Sequence, residues 1–190
     1  MPPKVKISKE DIIKATLELV RREGEAAINA RLIAESVNCS TQPIFSNFAN
    51  MEELKKAVSE SAYKLYLSFL KKESESGKYP VYKSFGMAYI RFAKEEKELF
   101  KFLFMRNRVG EDLNPTTDFK ASVEMIMKAN GITEESAELL HLEMWSCVHG
   151  IATMAATSFL MLEEELISKM LSDVYLGACA RYRENNNGSN

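Results

Sequence analysis

Three consecutive polar residues, Ser40, Thr41 and Gln42, stand at the start of a short segment that has one apolar face. Hydroxyl and amide side chains are among the groups that hydrogen-bond to base edges in the grooves of DNA. The segment has room for only about two helical turns before the next helix begins, and a helix that short is suited to insertion. The first chemistry that the sequence predicts is therefore base recognition.

A second group of candidate residues, His141, Trp145 and His149, follows at four-residue steps, which places all three on one helix face. The two histidines are poor metal ligands, because they lie two turns apart and neither has a carboxylate four residues further along. Set against nearby aromatic and Met side chains, they predict an apolar ligand cavity with a few polar groups. Ordinary core packing explains the same pattern, and both interpretations stay open.

The sequence contains no motif for catalysis or for metal binding. The sequence has no Gly-rich phosphate loop, no nucleophile elbow and no evident acid/base pair, so an enzyme is not predicted. Cys39, Cys147 and Cys179 are odd in number and far apart, which suggests neither a disulfide framework nor a zinc site. We expect no cofactor, no metal and no signal peptide, and a cytoplasmic location.

The charge balance limits the partners. The 190 residues carry 25 Lys and Arg against 27 Asp and Glu. Residues 1–50 have seven basic residues against six acidic ones, so the remainder has 18 against 21. This balance argues against indiscriminate coating of nucleic acid and is compatible with site-specific binding.

One internal stretch, from Met144 to Leu162, is uncharged and long enough to cross a bilayer. Acidic residues flank it on both sides, and it contains hydroxyl groups, a histidine and a glycine, so a buried helix is favoured and no membrane segment is expected. A helix that is apolar nearly all round needs neighbours on all sides. A second copy of the chain is the expected neighbour.

Local signals place the elements that position these residues. Ser8 and Asp11 have the spacing of a capping box, and Gly24 ends the first predicted helix. Asn29 is expected to cap a second, short helix, and Asn38 tolerates the left-handed backbone of the turn that ends it.

The third helix is expected to be capped by Ser40, with Pro43 in its first turn, where the missing N–H has no cost. Asn50 and Glu53 repeat the capping-box spacing and begin a fourth helix that runs to about Ser74. These short breaks predict a helix-turn-helix.

Beyond residue 50 the chain reads as further helices without strands or repeats. The seventh is predicted to start at Asn114-Pro115, and Thr133 is predicted to cap the eighth. We predict an all-α fold of about nine helices: a three-helix, helix-turn-helix head at residues 1–50, a larger ligand-binding and dimerisation body at 51–184, and a disordered tail at 185–190.

The run from Ile28 to Leu54 resembles the DNA-binding domain of TetR-family transcriptional regulators. The matching features are Arg31 near the start of the second helix, Ser40 before the third, and an aromatic pair before Glu52-Glu53-Leu54. Trp145, His149 and Gly150 also resemble a Trp and His-Gly signature in the C-terminal domain of one TetR subgroup.

The resemblance implies a DNA-binding surface on the head. Its residues are expected to be Lys6, Arg31, Ser40, Thr41, Gln42, Pro43, Phe45, Asn47 and Asn50. The chain departs from the family at Phe45, where a Tyr is usual, at Asn47, where His is usual, and at Met51, where Lys is usual; each change is expected to weaken phosphate anchoring. Arg31 pairing with Glu35, and Asn47 bonding to local backbone, are the alternatives to contact with DNA.

The resemblance also implies an effector-released repressor that binds a palindromic double-stranded operator as a homodimer. Helices at 133–162 and 164–183 are expected to pair with their symmetry mates, and a small, largely apolar ligand between helices four and eight is expected to move the fourth helix. The expected pocket residues are Phe85, Tyr89, Phe102, Met105, His141, Met144, Trp145 and His149. The alternative is a helical small-molecule-binding or adaptor protein that no longer reads DNA.

Overall fold

The computed structural model describes residues 7–107 and 117–187. Within these ranges the secondary structure is helical throughout, with a short 3₁₀ turn at Glu25–Ala27 and no strand. The helices are α1 (Lys9–Glu23), α2 (Ala30–Ser36), α3 (Gln42–Asn47), α4 (Met51–Glu75), α5 (Val81–Glu95), α6 (Lys97–Phe104), α7 (Thr117–Asn130), α8 (Glu134–Ala156) and α9 (Glu164–Asn187). The predicted all-α class is confirmed. The predicted start of the seventh helix, Asn114-Pro115, lies outside the described residues.

The chain divides into two compact units. Unit 1 comprises Met1–Ser68 and Glu95–Arg106, and unit 2 comprises Phe69–Lys94 and Asn107–Asn190. Helix α4 begins in unit 1 and ends in unit 2, while α6 belongs to unit 1 although it follows α5 in the chain. These units describe packing, and the functional boundary at residue 50 stays a prediction.

Helix α1 begins at the predicted capping box. The hydroxyl of Ser8 accepts a hydrogen bond from the Asp11 N–H at 3.1 Å, and the Asp11 carboxylate accepts one from the Ser8 N–H at 3.0 Å. The helix ends at Gly24, whose φ of +80° suits glycine, and a Cβ there would lie 2.9 Å from the Glu98 carboxylate on α6. Both ends of α1 are therefore determined by local residue types.

Each helix of unit 1 contributes at least one fully buried side chain to its core, among them Ile12, Ile33, Ile44, Leu54 and Leu99. Burying a side chain of this size stabilises the fold by roughly 1.5–3 kcal/mol. The core thus joins α6 to the three helices of the predicted head.

Unit 2 is built on α5, α7, α8 and α9. Its core includes Phe92, Ile126, Leu140 and Leu171, one from each of these helices. Gly86 on α5 allows α8 to approach closely, because a Cβ at this position would lie 3.1 Å from Cγ2 of Val148.

Helix α8 ends at Ala156, six residues before the end predicted for the dimerisation helix at 133–162. The hydroxyl of Thr157 bonds to the carbonyl oxygens of Thr153 and Met154 at 2.8 and 3.3 Å, and Ser158 adopts a φ of +56°. Hydroxyl side chains compete with the helix for backbone partners, and here they end it. The absence of charged residues concealed this end of the helix, and the prediction of a helix through residue 162 is corrected.

At the other end of unit 2, α9 is helical to Asn187, whereas the sequence predicted a helix over 164–183 and a disordered tail from 185. Tyr182 is buried, and the Arg183 guanidinium bonds to the Asn130 side chain of α7 at 3.0 Å, so α9 is anchored at these two residues. Extending an existing helix avoids the cost of nucleation, which accounts for the additional turn. No helix in the described ranges combines the length and apolar character that crossing a membrane requires.

Candidate functional site

Unit 1 contains a helix-turn-helix formed by α2 and α3. The Asn29 side chain caps α2 by accepting a hydrogen bond from the Leu32 N–H at 3.0 Å. At the other end, Asn38 takes a φ of +52°, and the following N–H, of Cys39, bonds to the carbonyl of Ala34 at 2.9 Å. The roles predicted for both asparagines are confirmed, and this left-handed turn is what directs the chain into α3.

The start of α3 differs by one residue from the prediction. Thr41, not Ser40, occupies the cap position, and it makes no side-chain capping bond because its backbone is already helical at φ −70° and ψ −14°. Pro43 lies in the first turn, as predicted. Ser40, Thr41 and Gln42 are all exposed, so all three polar side chains remain available to a partner.

The two sides of α3 differ sharply. Ile44 is 0% exposed and Phe48 is 2% exposed, and they anchor the helix in the core of unit 1. On the opposite side Gln42, Phe45 and Ser46 are exposed, with Phe45 at 53%. A helix this short has its orientation fixed by two buried residues, and it presents its remaining surface outward.

Two of the predicted DNA-contacting asparagines make bonds within the unit. The Asn47 side-chain amide donates to the Pro43 carbonyl at 2.8 Å. This bond to local backbone is the alternative to DNA contact that the sequence also allowed for Asn47. Asn50 accepts the Glu53 N–H at 2.9 Å, while the Glu53 carboxylate accepts the N–H of Ala49 rather than that of Asn50. The Ala49 bond, together with Lys9, lowers the pKa of Glu53. The capping box at the start of α4 is thus shifted by one residue.

Cations near α3 differ in availability. Arg31 on α2 is exposed, and among the ion pairs of the described residues none joins it to Glu35. Lys9 is engaged, since its ammonium lies 2.9 Å from the Glu53 carboxylate and 4.6 Å from the centre of the Phe48 ring. Lys6 lies outside the described residues. Arg31 is therefore the better-placed candidate for a phosphate contact.

In unit 2, two tyrosines of α5 pair with the two histidines of α8. The Tyr82 hydroxyl lies 2.8 Å from Nδ1 of His141, and the Tyr89 hydroxyl lies 2.9 Å from Nδ1 of His149. Burial lowers the pKa of both histidines and raises the pKa of Tyr82, so the neutral forms are favoured. Tyr82 was not predicted as a site residue, although it stands seven residues before Tyr89, two helical turns away on the same face.

The predicted pocket residues are only partly brought together. Tyr89, Trp145 and His149 form one group in which each residue contacts the next. Met144, which precedes Trp145 in the chain, is buried. His141 packs instead against Tyr82 and Phe119, with the Phe119 ring centre 4.9 Å away.

The remaining pocket residues lie elsewhere or are less buried than predicted. Phe102 and Met105 belong to unit 1, where Phe102 is buried and Met105 is exposed. Phe85 on α5 is half-buried. Trp145 is 51% exposed, which is more than a cavity-lining residue of a single chain would show. The pocket as a whole stays a prediction.

The outer surfaces of α8 and α9 are unusually apolar. Several large side chains there are roughly half exposed: Leu139, Leu142 and Trp145 on α8, and Leu166, Val174 and Leu176 on α9. Gly150 and Gly177 lie on the same helices with open space around the position that a Cβ would take. In the described part of unit 2, no neighbouring atom requires a glycine at either position.

By its fold the chain is an all-α protein with a helix-turn-helix in one unit and a second unit that is also helical. Residues 82–173 match the family described as "Tetracyclin repressor-like, C-terminal domain", which confirms the resemblance to the TetR family. The matched range contains the Trp145, His149 and Gly150 signature.

A solved structure described as that of a protein with unknown function from Rhodococcus sp. RHA1 has a similar fold. The TM-score is 0.72 at 18% sequence identity, with 93% of this chain and 98% of that chain covered. At this identity the likeness concerns the fold alone. Among curated proteins no relative matches this sequence.

Proposed function

We propose that the chain is a DNA-binding transcriptional regulator, a homodimeric repressor that binds a palindromic operator and is released by a small, largely apolar ligand. The observation that carries the proposal is the outer surface of α3. Apart from Phe45 its exposed side chains are polar, and it lies in a segment from Ser36 to Met51 that contains no charged residue. The match of residues 82–173 to a TetR-like C-terminal domain supports the same assignment.

On this proposal Thr41 and Gln42 read base edges while Arg31 contacts phosphate. No carboxylate of the segment from Ser36 to Met51 itself repels the DNA backbone. Ser40 and Pro43 complete the surface at the start of α3. Asn47 and Asn50 contribute by fixing α3 and the start of α4 through the bonds described above.

Dimerisation is proposed through the apolar outer surfaces of α8 and α9, which form a four-helix bundle with a second copy. Glycine inside a helix costs about 1 kcal/mol relative to alanine, so Gly150 and Gly177 need a compensating role. Close approach of the partner's helices at these open positions supplies one. A two-fold axis then sets two α3 helices about one DNA turn apart, roughly 34 Å, on a palindromic site.

The effector site is proposed in unit 2, around the Tyr–His pairs that join α5 and α8. Neutral histidines and tyrosine hydroxyls offer hydrogen bonds in apolar surroundings, which suits a small ligand with few polar groups. Such a ligand releases the operator only if it binds the released conformation more tightly than the DNA-bound one. Because α4 has residues in both units, it is the element through which we propose that this preference acts.

Two measurements test the proposal together. The purified chain is mixed with fragments of its own genome, bound fragments are sequenced, and sedimentation gives the oligomeric state. We expect a dimer and enrichment of a palindrome whose half-sites are about 10 base pairs apart. A dimer that enriches no sequence at any salt concentration would contradict the DNA-reading function and favour a small-molecule-binding or adaptor protein.

A further inference from the structure

Phe45 is the exception on the outer surface of α3. The surface is otherwise formed by small or polar groups, yet the Phe45 side chain is 53% exposed. The other aromatic residue of this segment, Phe48, is 2% exposed and lies under the ammonium group of Lys9. Leaving a ring in water forgoes the stabilisation that burial provides, so a partner that covers Phe45 gains that stabilisation on binding.

The chemistry around Phe45 identifies that surface. The ring stands three residues after Gln42, so it shares the outer side of the helix with a side chain proposed to read bases. The neighbouring Ser46 hydroxyl donates to the Gln42 carbonyl at 2.9 Å. In the major groove the apolar group available to a side chain is the 5-methyl group of thymine, and phenylalanine is one of the residues that contact it. Phenylalanine has no hydroxyl with which to bind a phosphate.

We infer that Phe45 is a specificity-determining residue that selects a thymine in each operator half-site by packing on its 5-methyl group. This inference rests on the proposed DNA-reading function and refines it. At this position the resemblance implies a Tyr that anchors a phosphate. On our inference Phe45 makes an apolar contact to a base instead, so the departure from the family pattern changes which part of the DNA this position contacts.

The test uses the operator sequence that the full-length chain selects from a random duplex library. Each thymine of a half-site is replaced in turn by deoxyuridine, which removes only the methyl group and keeps the hydrogen-bonding edges. Fluorescence anisotropy at one salt concentration then compares the affinities. Removing one buried methyl is expected to weaken binding about fourfold at a single thymine position.

Variants assign the effect to Phe45. Phe45→Ala is expected to bind the thymine and deoxyuridine duplexes equally, whereas Phe45→Tyr, which keeps the ring, retains the fourfold difference. Ser46→Ala is the matched control on the same surface and also retains it. Circular dichroism checks folding, and because Phe45 is exposed its replacement should leave the helical signal unchanged.

The possible failures are distinguishable. If an operator is selected but no thymine is sensitive to methyl loss, or if Phe45→Ala keeps the sensitivity, the inference about Phe45 is overturned while DNA reading stands. If the library yields no enriched sequence, the proposed function itself is overturned and the inference falls with it.

Discussion

The indole ring of Trp145 lies flat on the imidazole of His149, with ring centres 5.0 Å apart and an angle of 8° between the planes. His149 in turn is hydrogen-bonded to Tyr89, which is 8% exposed, whereas Trp145 is 51% exposed. These three residues form a continuous path from the outer surface of α8 to the interior of unit 2. Trp145 is the only tryptophan in the chain, so its fluorescence reports on this path directly.

Lowering the pH should quench the fluorescence of Trp145, because a stacked imidazolium quenches an indole. Burial lowers the pKa of His149, so protonation in the folded protein must occur below the ordinary value of about 6.5. Emission should therefore fall as the pH is lowered, with a midpoint below 6.5. His149→Gln should abolish the transition and His141→Gln should keep it. A midpoint above 6.5, or one that survives in His149→Gln, would refute the assignment.

Replacing Arg91 should strongly destabilise unit 2. Its guanidinium pairs with Glu73, a carboxylate whose side chain is 3% exposed, and also lies 3.3 Å from Glu164. Removing one partner of a buried pair leaves an uncompensated charge and costs about 3–5 kcal/mol. Urea unfolding of Arg91→Met should show a loss of this size, and the double variant with Glu73→Met should recover much of it.

The matched control for Arg91 is an exposed ion pair. Lys169 and Asp173 on α9 are both more than half exposed, so Lys169→Met should change the stability by no more than about 1 kcal/mol. If Arg91→Met lowered the free energy of unfolding by a similarly small amount, burial of Glu73 would not make its ion pair more important for stability.

Filling the space at Gly150 should impair self-association. A leucine there projects from the proposed dimer surface, and overpacking typically costs 1–3 kcal/mol. Sedimentation of Gly150→Leu should show a dimer weakened at least tenfold, roughly 1.4 kcal/mol, with an unchanged helical signal. Ala129→Leu, at an exposed position of α7, should dimerise normally. Equal behaviour of the two variants would exclude this face of α8 from the interface.

Gln42 and Arg31 should affect DNA binding in different ways. Gln42→Ala should reduce the preference for the operator over a scrambled duplex by about 1–3 kcal/mol, because a base contact is lost. Arg31→Ala should weaken both duplexes alike and lower the salt slope by about one unit, because a phosphate contact is lost. Anisotropy titrations measure both effects. Unchanged discrimination in Gln42→Ala would show that Gln42 does not read a base.

The sequence predicted best where a single residue type fixes local geometry. Ser8, Asn29 and Asn38 cap or end helices through bonds to their immediate neighbours, and the structure confirms each role. The end of α8 was not predicted, because no residue type there signals it. Ser158 adopts a left-handed conformation that the uncharged sequence around it does not reveal.

The predicted pocket shows a second limit. Helical periodicity placed Trp145 and His149 together on one face of α8, and the structure stacks their rings, because contacts along one face follow from spacing. Periodicity gives no information about which helices share a compact unit, and Phe102 on α6 and Met105 directly after it belong to unit 1. Tyr82 was omitted because its role depends on pairing with His141, which lies 59 residues away in sequence.

The most direct test of the central claim is the affinity of the purified dimer for its selected operator and for a scrambled duplex, measured by fluorescence anisotropy at several salt concentrations near physiological. A sequence-reading regulator should prefer the operator about a thousandfold or more, and its affinity should fall steeply as salt is raised. Equal affinity for the two duplexes at every salt concentration would contradict the account.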